Sequence, residues 1–244
     1  MTPSMALSMP EQYLGDAGDF LLINRFARRT GWLHGFMTFY AATLGITLLV
    51  LLLAAGWWLA RRRRDPRVMA SLVWAGVGTL VAVGVNQPIV NAVAERRPYQ
   101  SIPHVLLLVS RSSDYGFPSD HATMAGAVAA GLCYVNRRLG ITAWVLAALL
   151  AFARIYVGAH YPHDVAAGLL LGAAVIVAGH YAARSLLTPV IRRLSSTPLR
   201  PLLTAGPGAQ PLATASRASA PERGHAATGS ADPATAPGPR DPAG

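Results

Sequence analysis

Five apolar stretches constrain this chain more than any other feature of it: Phe36–Ala60, Val68–Ala94, Ser119–Val135, Ile141–Val157 and Val165–Leu187. A helix needs about 20 mostly apolar residues, within a range of roughly 17–25, to cross the hydrocarbon core of a bilayer. The first, second and fifth stretches meet that length. The third and fourth are short, but they form one apolar block with a single polar break at residues 136–140. In lipid every backbone N–H and C=O must be satisfied within the protein, so such runs fold as helices. The expected fold class is all-α: a polytopic membrane helix bundle of about five transmembrane helices. The segment Asp16–Thr30, with Arg25, Arg28 and Arg29 beside Phe20, Leu21, Leu22, Ile23 and Phe26, is expected to add an N-terminal interfacial amphipathic helix. No cleavable leader is expected, because the first long apolar run begins only after this charged segment.

Composition narrows the function classes. Charged residues make up 13% of the chain, against about 25% for a soluble domain, which argues against a free soluble enzyme. The net charge is +10, and all 21 basic residues are Arg. A nucleic-acid binder can share that charge but not such long apolar runs, so no nucleic-acid partner is expected. The single Cys, Cys133, excludes a disulfide framework and a Cys-based zinc site. Residues 195–244 hold nine of the 18 Pro, with Ala, Gly, Ser and Thr filling most of the rest, and are expected to form a disordered tail. The expected organisation is therefore an N-terminal segment at 1–35, a membrane-embedded catalytic domain at 36–194 and the tail at 195–244.

The arginines give an orientation. Arg61–Arg64 with Arg67 separate the first two spans, Arg137 and Arg138 separate the third and fourth, and Arg184, Arg192, Arg193 and Arg200 follow the fifth. With five spans these groups share one side, which the positive-inside rule assigns to the cytoplasm, together with the tail.

Polar residues at membrane depth are costly and mark function. They cluster in three places: Glu95-Arg96-Arg97-Pro98-Tyr99, Gly116-Phe117-Pro118-Ser119-Asp120-His121, and Arg154 to Asp164. Span parity puts all three on the face opposite the arginine clusters. Arg97 and Arg154 offer planar forks suited to phosphate oxygens. Ser119 reads as a helix N-cap whose following N–H groups form an anion site. Asp164, in the first turn of the last helix, is within reach of the imidazole of His160. A carboxylate on one ring nitrogen fixes the tautomer and raises the nucleophilicity of the other. His121 arrives from another helix and is free to protonate a leaving group. This set makes a phosphohydrolase working through a phosphohistidine. The same His and Asp residues also suit Zn or Mn, though two arginines beside them would repel a cation. Asp120, Glu95, Arg96 and His163 are expected to stand behind the reacting groups or at the surface.

At these residues the chain resembles the type 2 phosphatidic acid phosphatase (PAP2) superfamily. Its third motif is matched in spacing by Arg154, His160 and Asp164, with Ala153 where many members have Ser. Its second is matched by Pro118-Ser119-Asp120-His121, with Asp in place of Gly. Its first keeps Arg97-Pro98, but the Lys position falls on Val90, and Arg96 and Arg111 are the candidates to replace it. These departures, with Glu95 and Ile102-Pro103-His104, resemble the bacitracin-resistance branch, the BcrC-type undecaprenyl-diphosphate phosphatases. The resemblance implies that Arg97, Ser119 and Arg154 hold the terminal phosphate, His160 attacks it, Asp164 orients His160, and His121 protonates the leaving lipid phosphate. It implies no metal and no other cofactor. The expected activity is hydrolysis of undecaprenyl or another polyprenyl diphosphate at the extracytoplasmic face of a bacterial-type plasma membrane. The alternatives are a phosphatase for phosphatidic acid, phosphatidylglycerol phosphate or another lipid phosphate, and a non-enzymatic membrane module.

Overall fold

The computed structural model describes residues 11–205; residues 1–10 and 206–244, most of the expected tail, lie outside the described residues. Helix α1 spans Glu11–Arg29. Helix α2 spans Gly31–Arg63, opening on a 3-10 turn and passing through a π-helical segment at Tyr40–Leu44. It starts five residues before the apolar run at Phe36, because the 3-10 turn Gly31–Leu33 continues directly into it. Then follow α3 (Pro66–Val93), the single turn α4 (Pro98–Ser101), α5 (Asp120–Val135), α6 (Arg137–Tyr156), α7 (Pro162–Leu194) and the single turn α8 (Arg200–Leu203).

Local chemistry sets the helix starts. Asp65 caps α3 by accepting from Arg67 N at 2.8 Å, with Pro66 in the first helical position, where its missing N–H costs nothing. Asn136 caps α6 by accepting from the backbone N–H groups of Arg138 and Leu139.

By length and composition, four described helices can cross a membrane: Gly31–Arg63, Pro66–Ser101, Arg137–Tyr156 and Pro162–Leu194. The third apolar stretch behaves differently. Its helix, α5, has 16 residues, about 24 Å at 1.5 Å per residue, short of a hydrocarbon core of about 30 Å. It is the hub of the bundle and packs against α2, α3, α6 and α7. Its Ala122, Ala125, Gly126, Ala127, Ala129, Ala130 and Gly131 are all buried. Small residues let helix backbones approach closely where lipid supplies no hydrophobic drive.

The closest approach is between α5 and α7. A Cβ added at Gly172 would overlap the Thr123 carbonyl and the Ala127 N–H. Because backbone rather than a side chain is in the way, Gly172→Val is expected to destabilise the bundle by about 2–3 kcal/mol or more. The expected sign is a lower thermal midpoint and loss of the monodisperse peak in detergent. Gly76→Ala, where a Cβ meets open space, is expected to leave both unchanged.

Helix α1 docks on one end of the bundle. Ala17, Phe20, Asn24 and Ala27 form its buried face, while Arg25 and Arg29 are exposed. The Asn24 side chain donates to Leu106 O at 2.8 Å and accepts from Leu106 N at 3.1 Å. The Tyr156 hydroxyl donates to Thr30 O at 3.1 Å. Loops 94–118 and 157–161 lie at this same end. The arginine groups at 61–67, 137–138 and 192–193 occupy the other end, where α2, α5 and α7 finish. There Trp57 Nε1 donates to Leu202 O at 2.8 Å and Ala205 N donates to Arg61 O at 3.0 Å. Residues 195–205 thus pack on α2, and the compositional boundary at 195 does not coincide with the end of packing.

Candidate active site

The three polar clusters meet at the end of the bundle that carries α1. Each arrives by a different local device. Helix α6 ends at Tyr156, and Gly158 takes φ +83°, a left-handed conformation that a side chain would strain. A Cβ there would also strike Leu106 O. The reversal, held by Ala159 N donating to Arg154 O at 3.1 Å, folds His160 back over Arg154. Tyr161 then caps α7, with Pro162 at its first position. Asp164 lies in that first turn and accepts from Tyr161 N at 2.8 Å.

His160 is buried at the centre. Its Nδ1 faces two acceptors, Gly116 O at 3.0 Å and Asp164 Oδ2 at 3.3 Å. Its Nε2 faces two groups that can only donate, Arg97 Nη1 at 3.0 Å and Arg154 Nη2 at 3.3 Å. A guanidinium has no acceptor and a carbonyl or carboxylate has no proton to give. The proton therefore sits on Nδ1 and the lone pair on Nε2, between the two arginines. Burial first, then the charges of Arg154 and Arg97, hold the imidazole pKa well below its ordinary value, against the Gly116 hydrogen bond, which raises it. His160 is thus held neutral, with its free nitrogen turned toward the two guanidiniums.

The arginines are fixed from behind. Arg97, at the start of α4, donates Nε to Asp114 O at 2.9 Å and Nη1 to Ala159 O at 3.4 Å. Arg154 donates Nη1 to Ala41 O at 3.5 Å, while its Nε is buried without a hydrogen-bond partner. The Ser119 hydroxyl is likewise buried and unpartnered, and makes no cap bond to α5. Its capping role is thus unused and its donor is uncommitted. Buried polar groups are nearly always paired, so the uncommitted donors of Arg154, which lines the adjoining cavity, and of Ser119, whose neighbours Pro118 and Asp120 line it, would suit an anion.

That cavity, of about 390 Å³, is lined by Arg97, Arg154, His160, His121, Asp120 and Tyr99 among others. His121, on the first turn of α5, is half-buried in its wall. Asp120 accepts from Asn86 Nδ2 at 2.7 Å and Gln87 Nε2 at 2.9 Å, which ties the start of α5 to α3. Arg96 is exposed and does not line the cavity. Val90 is buried within α3. Arg111 lies over the ring of Tyr99, 5.9 Å from its centroid, and does not line the cavity.

Groups whose roles cannot be read from residue type complete the site. Gly116 and Asp114 act through backbone carbonyls, which carry no sequence signature. His163, expected to stand behind the reacting groups or at the surface, is partly buried among carboxylates. Its Nδ1 lies 2.6 Å from Asp16 Oδ2, and its Nε2 lies 3.0 Å from Glu95 Oε2 and 3.3 Å from Asp164 Oδ1. The carboxylates and imidazole of Glu95, His163 and Asp164 come close enough to consider a metal, with their ligand atoms within 4.8 Å of one another. Both imidazole nitrogens already face carboxylates, however, so neither presents a lone pair to a cation.

Comparison with known proteins gives a consistent picture. Residues 71–186 match the PAP2 superfamily. The chain is 33% identical over 101 residues to the undecaprenyl-diphosphatase BcrC of Bacillus subtilis, covering 41% of this chain and 51% of that protein. It is 38% identical over 111 residues to the decaprenylphosphoryl-5-phosphoribose phosphatase of Mycobacterium tuberculosis, covering 45% and 60%. The chain thus spans about half the length of the first of these relatives. Its fold is that of the crystal structure of a transmembrane PAP2-type phosphatidylglycerolphosphate phosphatase from Bacillus subtilis. That match has a TM-score of 0.51 at 20% identity and covers 74% of this chain and 88% of the other.

Proposed function

We propose that this chain, whose residues 71–186 match the PAP2 superfamily, is a membrane phosphatase that removes the terminal phosphate of a polyprenyl diphosphate such as undecaprenyl diphosphate. The observation that carries the reading is the convergence of two guanidiniums on the Nε2 lone pair of a His whose Nδ1 is held by a carbonyl and a carboxylate.

The resting arginines donate to that lone pair and so mask it. An arriving phosphate offers oxygens that are far better acceptors, with bidentate charge-assisted bonds. Arg97 and Arg154 turn to the phosphate, joined by the Ser119 hydroxyl, and Nε2 is released to attack. The Nε2–P bond forms as the bond from phosphorus to the leaving lipid phosphate oxygen breaks. His121 gives that oxygen its proton. Water then attacks the phosphohistidine and passes a proton to His121, while inorganic phosphate leaves and Nε2 regains its lone pair. The arginines counter the charge on the transferring oxygens, the largest lever in phosphoryl transfer. Asp164 counters the positive charge that the ring acquires.

The polyprenyl substrate is favoured by the relatives, whose names specify undecaprenyl-diphosphate and decaprenylphosphoryl phosphoribose chemistry. A second reading keeps the mechanism and exchanges the lipid for phosphatidylglycerol phosphate or phosphatidic acid. We further propose that the site faces the extracytoplasmic side, with the arginine-rich end and the tail in the cytoplasm. The test is phosphate release by detergent-purified protein from a panel of prenyl diphosphates, phosphatidylglycerol phosphate and phosphatidic acid, with and without EDTA. The expected result is the highest kcat/KM on a prenyl diphosphate, undiminished by EDTA. Higher kcat/KM on a glycerolipid selects the second reading. No release from any lipid leaves a non-enzymatic module, and loss in EDTA makes the site a metal centre.

A further inference from the structure

His163 occupies the second position of α7, one residue before Asp164, and takes no part in the steps above. Three elements converge on it. Asp16 comes from α1, Glu95 from the junction of α3 and α4, and Asp164 from α7 itself. Tyr161 stacks on its ring at 5.7 Å, and Phe117 lies at 5.3 Å on centroids. The His163 backbone N–H also donates to Asp16 Oδ1 at 3.1 Å. A neutral imidazole has one donor and one acceptor, and here both nitrogens face carboxylate oxygens. Only the imidazolium satisfies all of them. Three carboxylates this close to one another would repel strongly without a cation among them.

We propose that His163 is a positioning residue: an imidazolium clamped by Asp16, Glu95 and Asp164, which fixes Asp164 behind His160 and ties α1 to the reacting centre. The inference rests on the phosphohistidine reading and deepens it. Asp164 Oδ2 already serves two donors, Tyr161 N and the His160 Nδ1–H. Its other oxygen, Oδ1, has no hydrogen bond of good geometry and has His163 Nε2 as its charged neighbour at 3.3 Å. The clamp thus holds the carboxylate ionised and in place through Oδ1 while Oδ2 does its work. Groups that orient a functional residue from behind are commonly worth about 10–100-fold.

The test compares wild type, His163→Gln, Asp16→Asn and His163→Lys, with thermal midpoints and pH profiles of kcat for each, and repeats His163→Gln in an Asp164→Asn background. His163→Gln is expected to lower kcat about 10-fold or more with KM nearly unchanged. Its acid limb of kcat is expected to move upward by about one pH unit, because Asp164 loses the cation that keeps it ionised. Asp16→Asn, which touches no reacting group, shifts the profile in the same direction. His163→Lys, which keeps the charge, recovers part of the rate. In the Asp164→Asn background His163→Gln costs less than about twofold, as expected of groups acting as one unit. Wild-type kcat and pH profile in both His163→Gln and Asp16→Asn overturn the proposal, as does an undiminished cost in the Asp164→Asn background. Loss in EDTA with recovery in Mn²⁺ or Zn²⁺ also overturns it, by putting a metal where the imidazolium stands. Wild-type protein that releases phosphate from no lipid overturns the phosphatase reading and the positioning role together; an active wild type with indifferent variants overturns the positioning role alone.

Discussion

His160→Ala is expected to lower phosphate release by about 10⁴-fold or more and to remove any acid-labile phosphoenzyme, the scale seen when a nucleophile that acts as part of a unit is deleted. No other described group is placed to substitute. Nε2 is the one lone pair held between Arg97 and Arg154, and the cavity that these residues line is where a phosphate would sit. The variant keeps both arginines, so lipid binding should survive far better than turnover. Rapid acid quench of labelled substrate separates the two. A variant that turned over like the wild type would end the phosphohistidine mechanism. The pH dependence has a definite sign. Protonation would remove the lone pair, and burial with the two arginine charges keeps that protonation well below the ordinary imidazole range. Formation of the phosphoenzyme in a single turnover should therefore lose nothing to His160 between about pH 8 and pH 6.

Asp164→Asn is expected to lower kcat by about 10²–10³-fold. Where a single carboxylate orients a catalytic His, the same change costs about 10⁴-fold, chiefly through the wrong tautomer. Here Gly116 O shares Nδ1 at 3.0 Å, closer than Asp164 Oδ2 at 3.3 Å, and keeps the proton in place when the carboxylate is gone. What is lost is the negative charge that steadies the ring as it takes up phosphorus. The Asn oxygen can still accept from Tyr161 N, so α7 keeps its first turn. The measurement is kcat against thermal midpoint: a large fall in the first with a small fall in the second. A loss of 10⁴-fold would show that the Gly116 carbonyl does not hold the tautomer.

Much of this architecture is legible in the residues themselves. Long apolar runs must be helical in lipid, and their alternation brings Arg97, Ser119, His121, Arg154, His160 and Asp164 to one end. The interval between His160 and Asp164 predicts their contact because Pro162 starts the helix between them. The role of α5 is less legible. A stretch rich in Ala and Gly reads like any other span, and only packing makes it a short hub enclosed by four helices. Ser119 looks like a cap by composition, yet its hydroxyl is uncommitted, since the choice depends on a rotamer and not on residue type. Arg97 is told from Arg96 by the Pro that follows it, and the structure buries the first and exposes the second. The carbonyls of Gly116 and Asp114 are invisible because every residue has one. His163 sits beside Asp164, but its meaning needs Asp16, which nothing in the local pattern indicates.

The wide spacing of those partners bears on how such a protein is made. Asp16 meets a residue 147 positions later, Asn24 one 82 positions later, and Arg97 meets His160 across 63. Helix α1 meets Leu106 and Tyr156, which precede α7 in the chain, but its Asp16 contact with His163 forms only with α7 in place. A chain ending before His160 would carry Arg97 without the imidazole that it faces. The site is thus drawn from residues far apart in the chain, and its parts are brought together only when α7 is packed in place.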